Sequence, residues 1–436
     1  MKSINILLNF TTFFSNIIIA IIILLLFTCS DSKEQPPNDP PPSSDPWNEI
    51  VTVNLNEPEM ISYFEIGLTH THNRWYTGHP QAVNRVKKLL KDAKVRYQNT
   101  HIMGWGPDNP NPAIGVYRWQ SLDNVMDMIL SMEGTIPVIT FCTAPGWMKR
   151  SGNDWDMEDR VSDDHFENFA VLCSKVAERY DYVEYFQVWN ELKGFRSWTN
   201  GVEKRDMKQF TEMYNLIYDA VKKVRPNAKI GGPYMPLGGL DLTSSHIQDI
   251  KYWVENSNGG EFFNYDGWVE GWPPGGNSEE WMMSRSSFFG SLTKKFKDVV
   301  DLSQWVSEYY PGRNNNPEFV AAHFASTYYH SLKSGIRLAL LWDGVNFGEL
   351  FSNTEKEDGG QPTLQYNVVS AFNNYFGPGT QLYKTTSTTD DIEVLSSSEK
   401  ILLINKTKKS FIIKLKDRMI TLKGYEVMIY DNIYNI

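Results

Sequence analysis

Short apolar runs alternate with amphipathic stretches along most of the chain. Eight runs, rich in β-branched and aromatic residues, read as buried strands. They are Tyr63–Leu68, Val95–Ile102, Ile136–Phe141, Tyr185–Glu191, Lys229–Gly232, Phe262–Val269, Gln304–Glu308 and Leu338–Trp342. Between most of them apolar residues recur at helical spacing, as Val83, Val86, Leu89 and Leu90 do in the first. The spacing predicts helices over Pro80–Ala93, Leu122–Met132, Asp164–Arg179, Arg205–Val224, Ser284–Lys297 and Pro317–Ser334. Strand and helix in alternation define an α/β fold. Eight repeats over roughly 300 residues suit a closed (β/α)8 TIM barrel better than an open doubly wound sheet.

After Gly377-Pro-Gly379 the rhythm changes to short strands, Ile392–Leu395, Lys400–Ile404, Phe411–Leu415 and Tyr425–Tyr430, separated by Ser, Lys and Gly turns. Such a meander cannot cover both of its faces alone, so it is expected to form a small C-terminal β-sandwich domain against the barrel. The expected organisation is a catalytic barrel over residues 48–379 and a sandwich over 380–436, with a strand from 49–56 as a candidate addition. At the other end, Ile17–Phe27 is an uninterrupted apolar run, shorter than a membrane-spanning helix and suited to a secretory signal peptide over residues 1–28. Residues 29–47 hold six prolines among Ser, Asp and Asn and read as an extended tether.

Composition narrows the function. A net charge of −10, from 42 basic and 52 acidic residues, argues against nucleic acid as a partner. No Gly-x-Gly-x-x-Gly follows the first strand and no Walker loop occurs, so nucleotide binding lacks its usual glycines, and no cofactor is expected. Cys142 and Cys173, in an apolar strand and a helical pattern, form neither a disulfide framework nor a metal motif and read as buried thiols. Aromatic residues make up 14% of the chain, with 14 tryptophans, whose flat faces suit the C–H face of a sugar ring.

Two strands end in carboxylates, at Asn190-Glu191 on the fourth and Glu308 on the seventh. A (β/α)8 barrel carries its chemistry just past the C-terminal ends of its strands. The stretch Tyr185-Phe-Gln-Val-Trp-Asn-Glu191 resembles the acid/base strand of clan A retaining glycoside hydrolases, and Ser307-Glu308-Tyr309 resembles the nucleophile strand of the same clan. The resemblance implies Glu191 as general acid/base, Asn190 as the residue holding the sugar 2-hydroxyl, and Glu308 as nucleophile in a double displacement. Retention needs two carboxyls about 5–5.5 Å apart. Glu308 is expected to stay ionised, and its charge to raise the Glu191 carboxyl so that it holds a proton near neutral pH.

The barrel-plus-sandwich layout is similar to enzymes of the β-xylosidase and α-L-iduronidase type, which implies a plant or algal poly- or oligosaccharide as substrate. Two positions depart from that pattern. Glu270, after the sixth strand, stands where His or Tyr is more usual, and Gln98 stands where iduronidase-type relatives carry His. Glu270 is read as a sugar ligand, with a competing nucleophile or an inverting mechanism as its alternatives. Further candidates for sugar contact are His70, His72 and Trp75 after strand one, His101 on strand two and Trp147 after strand three. Trp268 and Trp272 flank the end of strand six, Tyr310 follows Glu308, and Trp342 ends strand eight. The resemblance makes Trp342 the floor of the subsite at the scissile bond. Arg96 reads as a partner for a carboxylate. His70 and His72 lack a third ligand, so no metal is expected.

Leu26-Phe27-Thr28-Cys29-Ser30 resembles a bacterial lipobox, which implies lipidation at Cys29 and a place in the cell envelope, on the outer membrane or cell surface. A plainly cleaved signal, giving a secreted protein, and an uncleaved anchor are the alternatives. The rival to an enzyme is a non-catalytic surface glycan-binding lipoprotein on the same scaffold. Nothing in the pattern sets an oligomeric state.

Overall fold

Eight parallel strands close into a barrel in the computed structural model, which describes residues 48–433 apart from 71–73, 105–107, 201, 238–242, 269–276, 311–313 and 346–348. A strand preceding the barrel, β1, runs Glu49–Ile61. The barrel strands are β2 (Glu65–His70), β3 (Tyr97–His101), β4 (Ile136–Phe141), β5 (Tyr185–Val188), β8 (Lys229–Pro236), β9 (Phe262–Trp268), β10 (Ser303–Tyr310) and β11 (Leu338–Trp342). Each pairs in parallel with its sequence neighbour in the barrel, and β11 closes the ring on β2. A small antiparallel hairpin, β6 (Arg196–Thr199) and β7 (Val202–Arg205), follows β5.

Because side chains alternate across a strand, every second residue enters the barrel, and three tiers result. The N-terminal end is plugged by Tyr97, Val138, Phe262, Trp305, Leu338 and Leu340, with Tyr185 against them. Phe262 stacks on Trp305 at 4.0 Å between ring centroids, and Tyr97 meets Trp305 edge-on at 5.7 Å.

One step up lies a hydrogen-bonded belt of fully buried polar side chains. Gln187 gives its amide to Thr140 (3.0 Å), whose hydroxyl donates to Asn99 (2.8 Å), whose amide donates to Thr69 (3.2 Å). The Gln187 carbonyl accepts from Asn264 (3.0 Å) and from the Ser307 hydroxyl, and Asn264 accepts the Tyr234 backbone N–H (3.0 Å). Above the belt sit the carboxylates.

Strand β10 brings Glu308 into this third tier by an irregularity. Strict alternation would put Ser307 and Glu308 on opposite faces. The register of β10 slips by one residue between Val306 and Glu308 against β9, a β-bulge, and both side chains then face inward.

The helices cover the barrel with the faces their periodicity requires. Pro80–Asp92 begins with proline in its first turn, where no intrahelical N–H is needed, and buries Ala82, Val83, Val86 and Leu90. Pro317–Ser334 is capped by Asn316 at one end and by left-handed Gly335 at the other, and is buried nearly all round. It lies between the barrel and the C-terminal sheets, with Phe319 edge-on to Tyr425 at 5.1 Å.

These sheets are β12-β1-β15-β16 and β13-β14-β17, made of β12 (Gln381–Ser387), β13 (Ile392–Ser396), β14 (Lys400–Asn405), β15 (Phe411–Leu415), β16 (Arg418–Leu422) and β17 (Val427–Asp431). Val51, Val53, Val394, Leu403, Ile413 and Leu422 fill the space between them. The fold is a TIM barrel with a β-sandwich. Strand β1 belongs to the sandwich, antiparallel to β12 and parallel to β15.

Several expectations shift. The helix read over Ser284–Lys297 starts later, as Phe288–Phe296, and a separate short helix, Glu279–Ser284, precedes it. Ser284 turns its hydroxyl onto the Trp281 carbonyl (2.6 Å), local bonding that competes with helix continuation. Strand β8 does not stop at Gly232 but runs on to Pro236. Gly231 is no turn residue: a Cβ there would lie 2.0 Å from the Phe262 ring inside the barrel. Helices Ser244–Asn256 and Leu364–Tyr375, and strands β12 and β16, were not read from the sequence. Cys142 and Cys173 are free and buried. The signal, Cys29 and the tether fall outside the described residues.

Replacing Gln187 by Leu should destabilise the barrel by roughly 3 kcal/mol, because the Asn264 and Ser307 donors would be left buried and unpaired. Denaturant unfolding of the purified variant measures this, and an unchanged midpoint would show the belt to be energetically idle.

Candidate active site

The turn after β5 is wound unusually tightly. Trp189, Glu191 and Leu192 take φ of 67°, 50° and 52°, a left-handed region that non-glycine residues avoid at a cost of roughly 1–2 kcal/mol each. Packing holds them there. Trp189 is fully buried between Phe169 and Phe195, and its indole N–H donates to the Lys193 carbonyl (2.8 Å). The Lys193 N–H returns to the Asn190 carbonyl (3.0 Å). Gly194, at φ +72°, completes the turn, and a Cβ on it would strike the Arg160 backbone N at 2.4 Å. The loop thus places Asn190, Glu191, Lys193 and Arg196 around the mouth of the barrel.

Three buried carboxyls meet there: Glu191 after β5, Asp266 on β9 and Glu308 on β10. Asp266 and Glu308 are register partners on adjacent strands. Asp266 also shares a hydrogen bond with Glu191 and accepts the Leu237 N–H (3.0 Å). Glu308 accepts from the Asn190 amide (3.1 Å) and the Tyr234 hydroxyl (3.3 Å), both at Oε2. Glu191 Oε2 lies 3.5 Å from Lys193 Nζ and 3.6 Å from Arg196 Nη2.

The charges sort accordingly. Burial and the Glu191 charge push Glu308 up to about 7, against Lys193, Asn190 and Tyr234. Burial, then the charges of Glu191 and Glu308, hold the Asp266 carboxyl far above the carboxylate range, so it is the protonated member and the donor to Glu191. Burial also works to raise Glu191, but Lys193, the Asp266 hydrogen bond and Arg196 outweigh it, and its carboxyl is held below its ordinary value. The tuning expected of the pair is therefore inverted in the free protein. Lys193, the Asp266 hydrogen bond and Arg196 together are the reason.

The other candidates are dispersed. His70 and His101 sit buried at the ends of β2 and β3. His70 accepts the Trp75 indole N–H on Nδ1 (3.4 Å), so Nε2–H donates to Gln98 (2.8 Å). Burial lowers His70 to about 4; burial and the Lys193 charge lower His101 to about 3. Both are neutral imidazoles at physiological pH. Trp75 is 1% exposed and packs behind His70 against Phe351, which makes it a support for that histidine and not a wall of the site.

Trp147 is half-buried after β4, its N–H on the Asn111 carbonyl (2.7 Å), and Trp342 is half-buried at the end of β11. Arg96 makes a bidentate bond to Glu65 (2.7 and 2.6 Å) at the opposite end of the barrel. His72, Glu270 and Trp272 lie outside the described residues, as do the side chains of Trp268 and Tyr310.

The sequence reading passed over Asp266, Tyr234, Lys193 and Arg196. Asp266 was accessible by alternation alone, since Phe262, Asn264 and Asp266 share one face of β9.

The sequence matches no family model and no curated protein. Solved structures share its fold. A family 30 endoxylanase from Clostridium papyrosolvens aligns over 85% of this chain and 88% of its own, at 14% identity and TM-score 0.56. A monomeric β-xylosidase from Caulobacter crescentus aligns over 82% and 76%, at 14% identity and TM-score 0.56. An endo-β-1,6-glucanase aligns over 88% and 94%, at 13% identity and TM-score 0.60. This chain is therefore built on the barrel-plus-sandwich fold found in these glycoside hydrolases.

Proposed function

We propose that the protein is a retaining glycoside hydrolase acting on a plant or algal glycan, with Glu308 as nucleophile and Glu191 as acid/base. The observation that carries the reading is the convergence of Glu191, Asp266 and Glu308 at the C-terminal mouth of one closed barrel, with the Asn190 amide on Glu308. The solved structures of the same fold, a xylanase, a xylosidase and a glucanase, support it. An amino-terminal signal peptide over residues 1–28, followed by a lipidated Cys29, would deliver such an enzyme to the cell envelope.

In the first displacement an ionised Glu308 attacks the anomeric carbon while Glu191 gives its proton to the departing oxygen. In the second, Glu191 takes a proton from water, which releases the sugar from Glu308. The free site stores its charge on Glu191 and its proton on Asp266, one hydrogen bond away. Transfer of that proton to Glu191 produces the acid that the first displacement needs. Tyr234 and Asn190 orient the Glu308 oxygen that does not attack, and His70 and His101, being uncharged, are suited to hydrogen-bond sugar hydroxyls.

On a panel of aryl glycosides, Glu308→Gln and Glu191→Gln should each lower kcat by at least ~10²-fold, and NMR of the first product should show the retained anomer. Undiminished turnover in both variants, or an inverted product, overturns the assignment. The acid limb of kcat/KM should have its midpoint near 7, because Glu308 reacts only when ionised and its carboxyl is raised to about 7. Lys193→Met should move that limb to higher pH, since removing the cation disfavours the carboxylate. Asp266→Asn, which cannot release a proton, should move the alkaline limb to lower pH. A pH–rate profile unaltered by either change rejects the proton arrangement.

A further inference from the structure

A cavity of about 630 Å³ opens beside the acid/base turn. It is lined by Arg150, Arg160, Arg196, Lys204, Arg205 and Lys208, against two acidic residues, Asp206 and Asp249. That excess of cations stands out on a chain of net charge −10. The cavity is joined to the carboxylate cluster by Arg196, which lines it and reaches Glu191 at 3.6 Å, and by Gly194 and Phe195 of the same turn.

The six cations divide by their partners. Arg160 and Arg205 are buried and committed. Arg160 bonds Asp163 (2.5 Å) and Gln209 (2.7 Å), and Arg205 bonds Asp249 (2.6 Å), Ser245 (2.7 Å) and Glu203. They shape the wall. Arg150 and Lys208 are exposed, and their ion pairs, to Asp163 and Glu212, are stretched to 4.0 Å. Lys204 is exposed and has no ion pair among the described residues. Three positive charges are thus loosely held at the rim.

The hairpin that carries half of these residues is built against its own interest. Arg196 of β6 stands directly opposite Arg205 of β7, an arrangement that destabilises an antiparallel pair. Glu203 bridges the two, 3.7 Å from Arg196 and in contact with Arg205. Tyr252 puts an aromatic ring in the cavity wall, and the same hairpin exposes Trp198 at 59% outside that lining. Cations beside a flat aromatic face suit a ligand that is both anionic and saccharide.

We propose that this cavity is a subsite for an acidic sugar residue, one bearing a carboxylate or a sulfate, on the glycan whose bond Glu191 and Glu308 cleave. The inference rests on the glycosidase reading and specifies its substrate class. Arg150, Lys204 and Lys208 meet the anionic group, while Arg196 links its binding to the acid.

Titration calorimetry on the Glu308→Gln protein, with Glu191→Gln as a second inactive background, tests it with three oligosaccharide sets of equal length: neutral, uronate-bearing and sulfate-bearing. At least one acidic set should bind about tenfold tighter than the neutral set. That preference should shrink as salt rises from about 0.05 to 0.5 M, where screening shortens to a few ångströms, and collapse in Arg150→Glu/Lys204→Glu. Which acidic set binds identifies carboxylate or sulfate. Equal affinity for neutral and acidic sets, or a preference that survives both salt and charge reversal, overturns the proposal. If the wild-type enzyme hydrolyses neutral chains without preference, the subsite alone is lost. If it hydrolyses no glycan of any kind, the reading beneath it falls as well.

Discussion

The barrel depends on Gln187 satisfying three neighbours at once. Its amide reaches Thr140, and its carbonyl takes both Asn264 and Ser307, so one side chain ties β4, β5, β9 and β10 across the interior. Hydrogen bonds in such a dry place contribute modestly when made and are expensive when missing. The belt therefore specifies more than it stabilises. A strand slipped by one residue would strand several buried donors, which an all-leucine interior would not penalise. The third tier inherits that registration, because Asp266 and Glu308 stand one step above Asn264 and Ser307.

On this frame the site is assembled from conflict. Three carboxyls are buried within reach of one another, and full ionisation of all three would be prohibitive in so little water. Lys193 and Arg196 decide which one keeps its charge. They settle it on Glu191, leaving protons on Asp266 and, below about pH 7, on Glu308. The left-handed residues of the Trp189–Leu192 turn are part of the same device. They bend the chain sharply enough to bring Glu191 and Lys193 to one side of the mouth, and the buried indole of Trp189 holds the bend.

Much of this was legible in the sequence, for identifiable reasons. The eight apolar runs and the helices between them follow directly from periodicity, and Asn190-Glu191 and Glu308 stood out as polar breaks at strand ends. Most of what escaped reading was governed by three-dimensional geometry that no local pattern encodes. Gly231, Gly232 and Pro233 read as a stop, yet β8 continues through them because Gly231 yields room to Phe262, and so Tyr234 was missed. No residue type announces the bulge that turns Glu308 inward. The inverted tuning was unreadable because Arg196, five residues after Glu191, comes back to it only through the geometry of the turn and hairpin.

Strand β1 has its own implication for how the chain reaches this state. It lies between β12 and β15, and Ile50 bonds Thr388 across 338 residues of sequence. Its ladder partners lie downstream of the whole barrel, so β1 must wait unpaired while every βα unit is laid down. Closing so long a loop is entropically slow. The sandwich can therefore close only after the barrel segments have been made. A chain interrupted before residue 381 would leave β1 without its β12 and β15 partners, an open strand edge of the kind from which aggregation starts.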